Sequence, residues 1–270
     1  MIIMPHPYGR MANRLLLSTA FIAHAEEQGD SFVHLAFADY FRFFEGTKHS
    51  PFIFYRSSTP QKKHKSRVLG SVNIWNTNDK RGETYFLDQK SFLELEQVTR
   101  FLFVIGWSFR APQAVEKHKT LIRKIFTPIA RYRDAVERLI QKAREGTDCL
   151  VGVHIRQTDY SNFANGKYFY SLAVYRRVMQ DIQKQLKGRT RFLICSDSSV
   201  NYESFVGLDV FPSTGHPLQD NYALASCDLI VGPPSTYTAW ASFYGDVPTF
   251  HVQTPDVSVE MSNFRVFTNG

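Results

Sequence analysis

Three short apolar runs in the second half of the chain, 150–155, 191–196 and 229–231, alternate with helix-spaced segments, and a fourth run follows at 248–252. Runs that are apolar throughout suit strands buried on both faces, and strands joined through helices form a parallel, doubly wound sheet. This pattern restricts the fold more than any other feature, to the α/β class. The first run ends in charge: Val151-Gly152-Val153-His154-Ile155-Arg156-Gln157-Thr158-Asp159-Tyr160. Charged residues are rarely buried without partners. In an open α/β sheet the carboxyl end of such a strand is where ligands sit. Arginine there suits a phosphate, because its planar fork binds two oxygens and stays charged.

The first half is less regular. A short apolar piece at 2–4 and a turn-rich segment at 5–10 precede apolar spacing at Leu15, Leu16, Thr19, Ala20, Ala23 and Ala25, which predicts a helix ended by Gly29. Strands are expected at 31–37, 84–87 and 101–107. The stretch 40–82 is aromatic, basic and poorly periodic, and reads as loops and short elements. From 112 to 144 the pattern is helical, interrupted by Pro128. The polar break Glu145-Gly146-Thr147-Asp148 then marks a boundary. The expected domains are 1–145 and 146–270, two α/β halves facing a cleft where a ligand would bind.

Other features narrow the function. No apolar run reaches the ~18 residues of a membrane-spanning helix, and the N-terminus lacks the features of a signal peptide. Cys149, Cys195 and Cys227 cannot all pair and have no metal spacing. They point to a reducing, cytoplasmic setting and to no metal site. The net charge is +7, and basic residues gather at 48–67 around Lys62-Lys63-His64-Lys65. Such a patch could meet RNA or a membrane surface. It reads more simply as a solvated loop, and no nucleic-acid-binding signature accompanies it. Phosphate-loop, dinucleotide-fingerprint, zinc and serine-hydrolase motifs are all missing.

Three strand ends bring polar groups to one edge of the sheet. The first carries His154 and Arg156, with Asp159 in the next loop; the second runs into Ser196-Asp197-Ser198; the third runs through Gly232-Pro233-Pro234 into Ser235-Thr236. Ser235 and Thr236 open a predicted helix, whose N-terminus favours an anion. Each residue alone has a plainer reading: Ser235 as a helix cap, Asp197 as a turn residue, His154 as a core histidine. Their convergence favours a ligand site.

With these residues in view, the sequence resembles the superfamily of α-1,2-, α-1,6- and protein O-fucosyltransferases, and most nearly the α-1,2 type of glycosyltransferase family 11. Gly9-Arg10-Met11-Ala12-Asn13-Arg14-Leu15 is similar to its N-terminal glycine-x-x-x-asparagine-glutamine loop. His154 to Tyr160 matches its H-x-R-R-x-D-Y motif. The third motif is followed by Asp220, Leu224, Cys227, Ile230, Ser235, Thr236, Tyr237 and Trp240. Three departures stand out. Gln157 replaces the second arginine, Arg14 replaces a glutamine, and 234–240 diverges from N-S-[ST]-F-S-W-W.

The resemblance implies a GT-B-like architecture of two Rossmann-like domains, the second binding GDP-fucose and the first serving the acceptor. Arg156 would hold the β-phosphate, His154 and Asp197 would meet the guanine, and Ser235, Thr236 and Tyr237 would close around the diphosphate. Gly9, Arg10 and Asn13 would reach the donor phosphate and the reacting sugar. Asp159 or His6 would take the acceptor proton. The implied activity is an inverting, metal-independent transfer of fucose to a glycan hydroxyl, with no cofactor beyond the donor substrate. The competing expectations are a non-catalytic nucleotide-sugar or glycan binder of the same fold, or a transferase using another nucleotide sugar.

Overall fold

The structure is a computed structural model describing residues 1–59, 71–77 and 83–268. Lys62, Lys63 and Lys65, the centre of the basic run, lie outside the described residues. Two compact units result: Met1–Ile129 together with Thr268, and Ala130–Phe267. Among the described residues no helix is long and apolar enough to cross a membrane.

The first unit contains β1 (Ile2–Met4), α1 (Met11–Gln28), β2 (Ser31–His34), β3 (Ile53–Arg56), β4 (Val72–Asn76), β5 (Tyr85–Phe86), α2 (Lys90–Val98), β6 (Phe101–Ile105), β7 (Phe109–Arg110), α3 (Pro112–Lys117) and α4 (Lys119–Ile125). Its main sheet has the order β3-β2-β1-β6-β4. All neighbours are parallel except β3, which runs antiparallel to β2. Helix α1 stops where Gly29 turns left-handed at φ 68°, its N–H reaching back to the carbonyls of Ala25 and Glu26. Phe21 on α1 stacks on Phe32 at 5.1 Å and meets Phe109 edge-on at the same distance, sealing helix to sheet.

Two short strands occupy the stretch read as loops and short elements. β3 and β4 lie at the two edges of the sheet, where a strand is recruited by a neighbour on one side only. Along β4, Val72, Ile74 and Asn76 are exposed and the residues between them half-buried, so its alternating apolar residues mark no core-facing stripe. Helix α2 also escaped the sequence pattern. It is held to α1 by a buried pair, His24 Nε2 to Glu96 Oε2 at 2.8 Å, and by Phe92 packed against the His24 ring.

The second unit contains α5 (Ala130–Arg144), β8 (Cys149–Ile155), α6 (Leu172–Gln185), β9 (Thr190–Ser196), β10 (Val210–Pro212), α7 (Pro217–Leu224), β11 (Leu229–Gly232), α8 (Thr236–Gly245) and β12 (Thr249–His251). Its sheet is wholly parallel, in the order β10-β9-β8-β11-β12. The chain winds outward from β8 through β9 to β10, then crosses back to β11 and β12. The direction therefore reverses between β8 and β11, and in such sheets the crevice at that reversal is where ligands bind. Val151, Val153 and Ile155 are fully buried in a core shared with Val178, Met179 and Ile182 of α6. Where Gly152 sits, a Cβ would lie 2.5 Å from Leu224 Cδ2, so the glycine admits α7 close to the strand.

This unit begins one helix before the polar break at 145–148. Tyr132, Val136 and Ala143 of α5 are buried. Arg144 binds both carboxylate oxygens of Asp228 at 2.9 Å and the Ser226 carbonyl, fastening α5 to the segment that enters β11.

Candidate functional site

Strands β8 and β11 are direct neighbours, with Val151 opposite Leu229 and Val153 opposite Val231. Their C-terminal loops therefore leave the sheet side by side, and each carries part of one site. Gly232 makes the join possible, since a Cβ there would stand 2.8 Å from the His154 carbonyl oxygen.

Arg156 is the centre. Its Nε and Nη2 donate to the two carboxylate oxygens of Asp159 at 2.8 and 2.7 Å, a bidentate pair. Its Nη1 reaches Ser235 Oγ at 3.4 Å. The guanidinium lies over the Tyr160 ring, 4.4 Å from the centroid, within cation–π range. Three of its five N–H groups are thus engaged, and two are left for a ligand. Burial pulls the guanidinium pKa down, but the Asp159 hydrogen bonds outweigh this, and it stays charged.

Ser235 is the N-cap of α8, its Oγ accepting the Tyr237 N–H at 3.1 Å. The residue that caps the helix thus also touches Arg156. Thr236 is the first helical residue, half-buried, and no acidic side chain occupies that first turn. A cation and a helix N-terminus meet here, two independent sources of anion affinity.

His154 is 5% exposed, and among the described residues neither ring nitrogen has a hydrogen-bond partner. Its ring stacks on Tyr237, centroids 4.8 Å apart. Burial, helped by the Arg156 charge, pushes its pKa down to about 4. The ring is neutral at pH 7, offering one donor and one acceptor. Asp197 lies across the gap to β9. Its Oδ1 accepts the N–H groups of Gln157 at 2.8 Å and Thr158 at 3.4 Å, and its Oδ2 accepts the Thr158 hydroxyl at 2.5 Å. It pins the turn that delivers Arg156. Gln157 faces protein, its Nε2 donating to the Tyr170 carbonyl at 3.1 Å and its Oε1 accepting from Ser198 Oγ at 3.4 Å. The side chain standing where the resemblance has a second arginine thus joins two loops.

Two residues given no role in the sequence reading belong here. Asn221 is fully buried and donates to the Tyr237 carbonyl at 2.7 Å. His251, at the end of β12, shares a 2.8 Å hydrogen bond with Thr238 Oγ1 in the first turn of α8. Neither falls in a recognisable local spacing; only the sheet order brings them to α8.

The N-terminal candidates lie in the first unit. Gly9 is left-handed at φ 61°, and a Cβ on it would fall 1.8 Å from Asn13 Nδ2. Glycine and asparagine are thus coupled: only a bare Cα lets the amide of Asn13 come so close. Arg10 is exposed at the N-cap of α1 and makes no side-chain cap. Arg14 donates to the carbonyls of Gly9 at 3.2 Å and Ala36 at 3.0 Å and to Asp39 at 3.0 Å. The arginine that replaces glutamine therefore binds the loop after β1 to the loop after β2. His6 is exposed and lies edge-on to Tyr8, whose hydroxyl accepts the Gly106 N–H at 2.6 Å.

No protein-family model matches the chain, and no curated protein is similar to it in sequence. Solved structures do match. A point mutant of Arabidopsis thaliana FUT1 in complex with GDP is similar over 100% of this chain and 75% of its own, with a TM-score of 0.61 at 11% identity. POFUT1 in complex with GDP-fucose is similar over 94% of this chain and 96% of its own (TM-score 0.54, 14% identity). NodZ α-1,6-fucosyltransferase soaked with GDP-fucose is similar over 97% and 96%, with a TM-score of 0.54 at 18% identity. The chain therefore shares the GT-B-like fold of these structures, with two α/β units each built on a mainly parallel sheet.

Proposed function

We propose that the chain is a fucosyltransferase that moves fucose from GDP-fucose to a hydroxyl of a glycan or glycoconjugate. The observation that carries the reading is the meeting of Arg156 with the N-terminus of α8 at the point where the second sheet reverses direction. Two matched structures contain GDP-fucose and one contains GDP, which agrees with a diphosphate at that point.

In this reading the second unit holds the nucleotide. Arg156 and the α8 N-terminus, with Ser235, Thr236 and Tyr237, take the diphosphate. The neutral His154 and Asp197 stand at the base end. Gly9, Arg10 and Asn13 of the first unit serve the sugar and its phosphate, and that unit serves the acceptor. The acceptor oxygen attacks the anomeric carbon as the sugar–phosphate bond breaks, GDP leaves with the electron pair, and configuration inverts. Negative charge grows on the leaving oxygen, so a fixed cation there lowers the transition state more than the ground state. Arg156 and the helix supply that charge in a metal-independent reaction. Asp159, with both oxygens on Arg156, orients the cation. His6, on the exposed loop after β1, is left as the group to receive the acceptor proton. The setting is cytoplasmic, in keeping with three free thiols.

Calorimetry with GDP, UDP and ADP tests the nucleotide site. GDP should bind best, and Arg156→Ala should weaken it by roughly 30-fold to several thousand-fold, the usual loss for truncating a hydrogen-bonded charge pair. Equal affinity for all three, or an unchanged Arg156→Ala protein, refutes the reading. Gln157, turned to protein where the resemblance has a cation, favours one alternative: a binder of GDP-sugar without turnover. Release of fucose from GDP-fucose in the presence of glycan acceptors separates the two.

A further inference from the structure

Tyr160 touches both halves of the anion site. One face of its ring lies under the Arg156 guanidinium, 4.4 Å from centroid to Cζ. Phe163 stacks on the ring at 5.2 Å and 18°. Tyr168 closes a triangle of rings, 6.4 Å from Tyr160 and 6.5 Å from Phe163. The hydroxyl donates to the Pro234 carbonyl at 2.7 Å, immediately before the Ser235 cap of α8. The residue is 4% exposed.

Such a placement has a mechanical meaning. Arg156 leaves β8 and Ser235 leaves β11 on separate loops, and the hydrogen bond between their side chains is long, 3.4 Å. Tyr160 supplies a shorter one. Its ring sets the plane and height of the guanidinium while Asp159 sets its rotation, and its hydroxyl sets the loop that opens α8. After Tyr160 the chain turns back through a loop where Ala164, Asn165 and Gly166 are all left-handed (φ 50°, 56° and 74°), and this returns Tyr168 to the ring cluster. Conformations of that kind, unfavourable for residues other than glycine, persist only where the surroundings enforce them.

We propose that Tyr160 is a positioning residue that joins Arg156 and the N-terminus of α8 into one cradle of fixed spacing for a nucleoside diphosphate. The inference rests on the diphosphate site proposed above. It predicts a selective defect, because Tyr160 acts on the phosphate end and not on the base end near His154.

The test compares GDP with guanosine by calorimetry in the full chain. Tyr160→Phe keeps the ring and loses the tie to Pro234; GDP affinity should fall about 3- to 10-fold, the range of one neutral hydrogen bond. Tyr160→Leu loses ring and tie together; GDP affinity should fall about 10- to 100-fold, since a desolvated cation–π contact is lost as well. Guanosine affinity should change less than about twofold in both, so the GDP-to-guanosine ratio falls in that order. If the ratio is unchanged in Tyr160→Phe, whose size and shape are retained, the proposal is overturned, even where Tyr160→Leu fails to fold. Equal weakening of GDP and guanosine also overturns it, because that is the signature of general loosening. A wild-type protein with no preference for GDP over guanosine would sink the diphosphate site itself, and this inference with it. Preference in the wild type, lost in Arg156→Ala but intact in the Tyr160 variants, would sink the inference alone.

Discussion

The two units use the same three side chains for different ends. In the first, Arg14 donates to Asp39 and lies over the ring of Tyr40 at 5.0 Å; in the second, Arg156 donates to Asp159 and lies over Tyr160 at 4.4 Å. Each aspartate directly precedes its tyrosine. The difference lies in what else the arginine meets. Arg14 also takes two main-chain carbonyls from separate loops, Gly9 and Ala36. Among the described residues the hydrogen-bond partners of the Arg156 guanidinium are all side chains, and it faces the start of a helix. An arginine that satisfies carbonyls is a fastener, since those carbonyls lose their partner with it. One held edge-on by a carboxylate is aimed, with the rest of its fork open.

Exchanging the two arginines for glutamine breaks the comparison most sharply. Arg156→Gln should lose GDP affinity by about 30-fold or more, with a small change in melting temperature. Arg14→Gln restores the residue expected from the resemblance, yet it should lower stability by about 1.5–3 kcal/mol, as hydrogen bonds from a charged donor are lost. GDP affinity of the folded protein should stay within twofold. Urea unfolding and calorimetry on both variants separate the outcomes. Losses of the same kind in both would mean that the partners do not decide the role.

How much of this could be read from residues alone follows the same division. The second unit was nearly transparent: its strands are buried on both faces, so the apolar runs mark them, and three of those runs end in the polar groups of the site. The first unit was opaque where its strands lie at sheet edges. β3 and β4 take their conformation from one neighbour, and the alternating apolar residues of β4 mark no core-facing stripe. Helix α2 depends on the pairing of Glu96 with His24, distant in sequence. Within the site, Arg156 and Ser235 announced themselves, because charge after a buried strand and a cap before a helix are local signals. Gln157, Asp197, Asn221 and Tyr160 have partners set by sheet order and loop path. Spacing could name Gln157, Asp197 and Tyr160 but not say what they touch, and it did not name Asn221. The boundary was read from the loop at 145–148, whereas the compact unit is defined by where α5 packs.

Acid sharpens the contrast between the units. Burial holds His34 in the first unit and His154 and His251 in the second at a pKa of about 4. Unfolded, each would titrate near 6.5. Between those values the unfolded chain binds more protons than the folded one, so stability is full above pH 6.5 and falls as pH drops toward 4. Both units lose more at lower pH, through different partners: arginines hold Asp209 and Asp228 of the second unit below the ordinary carboxylate range, Asp228 against the upward push of burial, whereas hydroxyls do this for Glu26 in the first. Burial pushes the Glu26 carboxyl up, but hydroxyls of Thr59, Tyr55, Ser57 and Ser58 outweigh it and hold it near 2. Stability from Glu26 is present above pH 4.5 and disappears as pH falls toward 2. Melting temperature measured from pH 7 to 4 should fall steadily, and His154→Gln with His251→Gln should flatten that slope. An unchanged slope in the double variant would show that these rings are not the groups that titrate.

The smallest expected effect concerns Gly9, where the two edges differ in how they place a polar side chain. In the second unit Arg156 is set by partners; in the first, Asn13 is set by the lack of one atom. Gly9→Ala puts a methyl group where the Asn13 amide lies and does so at a left-handed φ of 61°. The backbone cost alone is roughly 1–2 kcal/mol, which a change in the urea midpoint would register. If Asn13 serves the reacting sugar, moving it should reduce turnover of GDP-fucose well beyond both the stability loss and any fall in GDP affinity. Were GDP affinity to fall in step with turnover, Asn13 would belong with the nucleotide, and the division of labour between the units would have to be redrawn.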